Sequence, residues 1–227
     1  MTHDSPRSGE RQPDSSDRSG ERQRPDSSDR SGERQRPDSP TRQRPDQFAS
    51  KGHLPRLAPE FYRGHAFVHW TLTVDHRATG WLDPSFHHTW RHLLLHTCAR
   101  YELLCPAYVL MPDHLHLLAA GISDDADQRL AIEFLRQHLA PALAPVRWQK
   151  QAHDHVLREE ERAADALPAV VYYIFENPVR AGLVERWQDY PFAGCCVAGY
   201  PEIDPRAEDY WLRLWRVYHY LVRTNAS

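Results

Sequence analysis

Residues 108–118 read Tyr-Val-Leu-Met-Pro-Asp-His-Leu-His-Leu-Leu, two apolar runs folded about the turn pair Pro112-Asp113. The runs Ala107–Leu110 and Leu115–Ala120 are β-strand material: short, rich in aliphatics and bounded by turn residues. Side chains alternate along a strand. His114 and His116 therefore share one face, while Leu115 and Leu117 face the other way. Two neutral imidazoles fixed side by side on a rigid strand offer half of a divalent-cation site. The plainer reading of such a pair is two polar positions on a half-exposed strand.

Working outward, Ala66–Val74 alternates and carries β-branched and aromatic residues, so it predicts a first strand. Gly80 marks a turn. Pro84 to about Glu102 predicts a helix, with Trp90, Leu93, Leu94 and Cys98 on its apolar side. Asp127 to about Leu143 predicts a second helix with Leu130, Phe134 and Leu135 facing inward. Trp148 to Leu157 predicts a further extended segment. The order strand–helix–strand–strand–helix–strand is the split βαβ pattern. The fold class is therefore α+β: a ferredoxin-like antiparallel sheet with helices on one face, followed by a further helix and a helical extension.

That further helix lies in Tyr172-Tyr173-Ile-Phe-Glu-Asn177-Pro178-Val-Arg-Ala-Gly-Leu-Val184. Pro168 suits a helix start, where the missing N–H would go unpaired anyway. Asn177-Pro178 should end the helix or bend it. Tyr173 and Asn177 are four residues apart and share a face, which offers a phenol as nucleophile and an amide oxygen as third metal ligand. Tyr172 is about a quarter-turn away and is read as packing.

Together the two segments resemble the single-tyrosine transposases of the His-hydrophobic-His (HUH) class, with the REP-associated tyrosine transposases of bacteria nearest in motif order and spacing. The resemblance runs from about Phe67 to about Tyr200 and includes Trp148-Gln149 and Asp154-His155-Val156-Leu157-Arg158. It implies a domain that nicks single-stranded, hairpin-forming DNA. His114, His116 and Asn177 match the metal-ligand positions and Tyr173 the nucleophile. His155, Arg158 and Arg180 are expected to support the site or touch DNA.

The residue types suit that chemistry. A phosphodiester is a poor electrophile until a divalent ion withdraws charge from it and orients it for in-line attack. A phenol, with an ordinary pKa near 10, is a weak nucleophile while protonated. Attack would give a 5′-phosphotyrosine and a free 3′-hydroxyl, and another strand's hydroxyl can reverse the bond without a nucleotide cofactor. Two nitrogens with at least one oxygen favour Mg²⁺ or Mn²⁺ over structural Zn²⁺.

The rest of the chain frames this reading. Residues 1–56 repeat Ser-Gly-Glu-Arg-Gln at 8, 19 and 31 and hold almost no apolar residue. They are expected to form a disordered tail. Residues 57–200 are read as the transposase-like domain and 201–227 as a helical extension. In that extension Trp211, Leu214, Trp215, Tyr218 and Leu221 form an apolar stripe. Of 28 basic and 31 acidic side chains, 12 and 10 fall in residues 1–56, which leaves 16 and 21 beyond. A net-acidic domain is unusual for a DNA-binding protein, so the positive charge must be local. Arg136, Arg147, Lys150, Arg158, Arg180 and Arg186 are the expected contributors to one face.

Cys98, Cys105, Cys195 and Cys196 form no metal or disulfide framework, which fits reduced thiols in a cytoplasm. No stretch has the apolar length of a membrane span. His88, His92 and His96 recur at steps of four but are joined by no carboxylate or cysteine, so they read as a solvated helix face. The alternatives to a nicking enzyme are an idle, domesticated hairpin-binding protein and a hydrolase using His114, His116, His155 and water. A homodimer and a monomer both remain open.

Overall fold

A computed structural model of the chain describes residues 56–162 and 166–225. The expected disordered tail, apart from Arg56, lies outside them. The elements in order are β1 (Phe67–Thr73), α1 (Pro84–Arg100), β2 (Leu103–Met111), β3 (His114–Gly121), α2 (Gln128–Leu143), β4 (His153–Val156), α3 (Glu159–Arg162), α4 (Leu167–Phe175), α5 (Asn177–Arg180), β5 (Ala193–Cys196) and α6 (Tyr210–Asn225).

The sheet is antiparallel with strand order β4-β1-β3-β2-β5. Its first four members have the order of a split βαβ sheet, and β5 extends it beside β2. Alternation along β1 divides the protein into two cores. Val68, Trp70 and Leu72 point to one side, where they pack with Trp90 and Leu94 of α1 and Leu135 and Leu139 of α2. Phe67 points to the other side with Val109, Leu118 and Ala120, and that side is covered by Val171, Ile174 and Phe175 of α4 and Leu214 and Tyr218 of α6.

Both long helices begin at an acidic cap. Asp83 accepts from the Phe86 N–H at 2.7 Å ahead of Pro84. Asp127 accepts from the N–H groups of Arg129 and Leu130 at 3.0 and 3.2 Å. The side-chain oxygen satisfies donors that the first turn leaves unpaired.

Four expectations need correction. Leu130 does not face inward: it is 53% exposed, while Ala131, Ile132, Leu135 and Leu139 carry the buried stripe. The segment after α2 is not one long strand, since only His153–Val156 forms a ladder and Trp148 meets Val74 in an isolated bridge. The expected helical extension over 201–227 is helical only from Tyr210, because the residues ahead of it form turns. Tyr172 is not a packing residue: it is 58% exposed, and a hydrogen bond to Glu176 raises its pKa. The stripe on α6 does pack into the second core, so that helix and the preceding domain share buried surface. His88, His92 and His96 are exposed on α1. No described helix is long and apolar enough to cross a membrane.

Candidate metal and nucleophile site

The turn at Pro112-Asp113 returns the chain from β2 into β3, and β3 pairs with β1 so that Thr73 lies opposite His114 and Thr71 opposite His116. On the other side of β1, β4 sets His155 opposite His69 and His153 opposite Thr71. Directly opposed residues share a face. His69, His114, His116, His153 and His155 therefore line one side of the sheet, the side that α4 crosses.

Within this row the contacts are specific. The Nε2 atoms of His114 and His116 lie 3.1 Å apart. His114 Nδ1 lies 2.6 Å from Asp113 Oδ1. The carboxylate can only accept, so Nδ1 carries the proton and Nε2 the lone pair. His116 Nδ1 lies 3.1 Å from both Thr71 Oγ1 and His69 Nε2. Burial first, then the neighbouring His69, His114 and Arg180, pushes the His116 pKa down to about 3. His116 is therefore neutral near pH 7. Burial and His155 likewise lower His69 to about 4.

Where His116 carries its proton on Nδ1, toward Thr71 or His69, its Nε2 also presents a lone pair, and two such lone pairs repel unless a cation lies between them. Two ligand bonds of about 2.1 Å meeting near a right angle separate their nitrogens by about 3.0 Å, the spacing octahedral coordination asks for. The pair therefore fits a divalent ion. Among the described residues no set of three His, Cys, Asp or Glu side chains gathers around a common point, so further ligands must be amide, water or substrate oxygens.

α4 brings the phenol. Its apolar side, Val171, Ile174 and Phe175, is buried against the sheet and Trp187, with Phe175 stacked on Trp187 at 4.4 Å. Tyr173 is left 48% exposed. Its ring centre is 6.4 Å from that of His69, edge-on, and the Arg180 guanidinium sits 4.6 Å from it. The bend expected at Asn177-Pro178 separates α4 from α5 and returns Arg180 over Tyr173. Asn177 Nδ2 donates to the carbonyls of Tyr173 and Ile174, both at 3.0 Å. Two acceptors fix the amide orientation, so Asn177 Oδ1 is the end turned away from the helix.

His155 bonds Glu161 at 2.9 Å, and the Arg158 N–H donates to the same carboxylate at 2.8 Å. His155 is the member of the histidine row on the outer strand β4, and its contact is to Glu161 rather than to His114 or His116. The expected basic face does not form as one surface. Arg180 lies on the Tyr173 side and Arg136 belongs to α2 on the other, because α1 and α2 pack together on one face of the sheet and α4 and α6 cover the other.

His69 and Asp113 do not stand out in the sequence as site residues. The signal for His69 is nonetheless present in β1, where Phe67, His69, Thr71 and Thr73 interleave with Val68, Trp70, Leu72 and Val74. Once β1 pairs with β3, that polar row must face the site.

No family model matches the chain. A Haemophilus influenzae protein provisionally named a REP-associated tyrosine transposase is 24% identical over 149 residues, which cover 59% of this chain and 81% of that protein. Among solved structures the chain is similar to a REP-associated tyrosine transposase bound to a REP hairpin. The TM-score is 0.52 at 22% identity, over 63% of this chain and 81% of the other. The structural likeness shows a shared fold. The resemblance carried by the motifs and both comparisons point to the same group of proteins.

Proposed function

We propose that this chain nicks and rejoins single-stranded DNA at hairpin-forming repeats through a 5′-phosphotyrosine, as a transposase-type strand transferase. The observation that carries the reading is the opposed Nε2 pair of His114 and His116, oriented from behind by Asp113 and Thr71, beside a half-exposed Tyr173 held under Arg180. The similar proteins named above, one of them bound to a REP hairpin, support the choice of DNA as substrate.

His114 and His116 would hold Mg²⁺ or Mn²⁺, with Asn177 Oδ1 offered from α5. When bound, such an ion withdraws charge from a phosphate oxygen. The chain's own residues do the rest. α4 would bring the Tyr173 hydroxyl to the phosphate from beside His69. The hydroxyl oxygen bonds to phosphorus as the bond from phosphorus to the 3′-oxygen breaks, and the phenolic proton is lost to solvent while the departing oxygen gains one. Arg180, stacked on the ring, places a fixed positive charge where the phosphate's negative charge must sit. Rejoining is the same step run backwards by a 3′-hydroxyl.

The test is a denaturing protein gel after incubation with labelled single-stranded hairpins and Mn²⁺ or Mg²⁺. A metal-dependent covalent adduct is expected from the native chain and from Tyr172→Phe but not from Tyr173→Phe. Cleavage without adduct that survives Tyr173→Phe would overturn the tyrosine mechanism in favour of water as nucleophile. Hairpin binding with neither cleavage nor adduct would leave a binding protein on this fold.

A further inference from the structure

On the side of the sheet away from the histidines, a recess of about 630 Å³ opens between the turn at Pro59 and helix α2. Trp70 lines it, and Trp70 follows His69 in β1, so the recess and the histidine row lie back to back. Arg56, Arg63, Arg129 and Arg136 line it together with the carboxylates of Asp127 and Glu133, and Asp154 pairs with Arg56. In a chain whose residues 57–227 are net acidic, this is a local concentration of positive charge.

The arginines are only partly answered by the protein. Arg56 Nε is 3.2 Å from Asp154, and Arg63 Nε is 3.0 Å from Asp127. Arg129 lies over the Tyr62 ring at 5.9 Å. Arg136 donates through Nη2 to the Gln149 carbonyl, while its Nε is buried with no partner among the described residues. Burial and the Arg56 charge oppose the Arg136 charge. A buried donor left unpaired is destabilising, and Arg136 is one of the residues lining the recess. Guanidinium forks match phosphate oxygens in shape as well as charge. Pro59, Leu130, Ile132 and Trp148 supply apolar wall, and the volume far exceeds a lone anion.

We infer that this recess is a second strand-binding site, which takes a phosphate and its attached nucleoside from single-stranded DNA that passes around the β4 edge from the Tyr173 side. The inference rests on the reading of the chain as a single-strand DNA enzyme. It adds an anchor for flanking strand, separate from the nicking site.

The experiment uses the full chain carrying Tyr173→Phe, so that no adduct forms, with a labelled single-stranded hairpin bearing long flanks. Binding is measured by anisotropy across a salt series. In Arg63→Gln/Arg129→Gln, both accessible side chains, the slope of log affinity against log salt is expected to fall by about 0.7 for each phosphate the recess no longer neutralises. Arg213→Gln/Arg216→Gln on α6 removes equal charge elsewhere and should change the slope less. Equal slopes in the two double variants would overturn the inference. So would saturable quenching of Trp148 by inorganic phosphate with unchanged DNA binding, which would make the recess a small-anion site. Adduct formation in the Tyr173 chain with equal slopes removes the anchor alone. Weakened binding in a chain that forms no adduct removes the nicking chemistry alone. No DNA binding at all removes both.

Discussion

Asp113 illustrates how a turn residue comes to orient a candidate ligand. It sits at the corner between β2 and β3, where Arg77 Nη1 reaches it at 2.7 Å and His114 at 2.6 Å. Burial works to raise its pKa, but the hydrogen bonds from His114 and Arg77 prevail and leave it lowered. The carboxylate is thus charged at neutral pH and fixes the His114 tautomer. Loss of such a partner behind a metal ligand typically costs 10–100-fold in affinity. Asp113→Ala should therefore weaken Mn²⁺ binding by about that factor in calorimetry, while Asp113→Asn, which keeps an acceptor, should lose less. Equal Mn²⁺ affinity in native chain and Asp113→Ala would contradict the role. His69 acts one residue further back, through His116 Nδ1. Neither role was readable from the His-x-His motif, because each depends on which strand lies beside β3 and on how the turn closes.

At the scale of the element, strong periodicity was legible and irregular backbone was not. β1 alternates along most of its length and β3 alternates over His114–Leu117, so the shared face of His114 and His116 follows from the sequence. β2 begins earlier than expected because Leu103, Leu104 and Cys105 are all buried and do not alternate, and Pro106 reads as a breaker. The ladder absorbs that proline at a register shift between Leu104 and Ala107, as a bulge permits. Leu130 shows the converse: its apolar character suggests the inner side of α2, but it falls in the exposed first turn of that helix. Tyr172 and Tyr173 are separable by helical phase, yet the phase does not say that Tyr172 faces solvent. Capping gives a calibrated test of these elements. Asp83→Ala should lower stability by about 1 kcal/mol in urea unfolding. Gly121→Ala should cost more, because its added carbon would stand 1.8 Å from the Gly64 carbonyl oxygen and backbone would have to move. A Gly121→Ala chain as stable as the native one would show that the β3 end is not held against Gly64.

For the whole molecule, the histidines couple the site to the stability of the fold. His69 and His116 are neutral when folded, with pKa values lowered to about 4 and about 3, chiefly by burial. His87, bonded to Tyr108 at 3.1 Å, is lowered to about 4 by burial, with Arg91 and Arg206 adding to the effect. Each reverts to about 6.5 in the unfolded chain. Between about pH 6.5 and pH 4 the unfolded state therefore binds more protons than the folded one, and stability must fall as the pH drops through that window. Above it these residues are neutral in both states and contribute no slope. Each histidine should add roughly 1.4 kcal/mol per pH unit to the decline. In chelator-treated protein, urea unfolding at pH 7, 6 and 5 should show the loss. His87→Gln, remote from Tyr173 on the α1 side, should remove about one proton's share of the slope and leave adduct formation intact. Stability independent of pH from 7 to 5 would mean that these rings are solvated rather than buried. Neutral imidazoles are also what a divalent ion requires of its histidine ligands. The same burial that makes the fold acid-sensitive keeps the His116 lone pair free at neutral pH, so activity at the site and stability of the sheet should decline over one pH range.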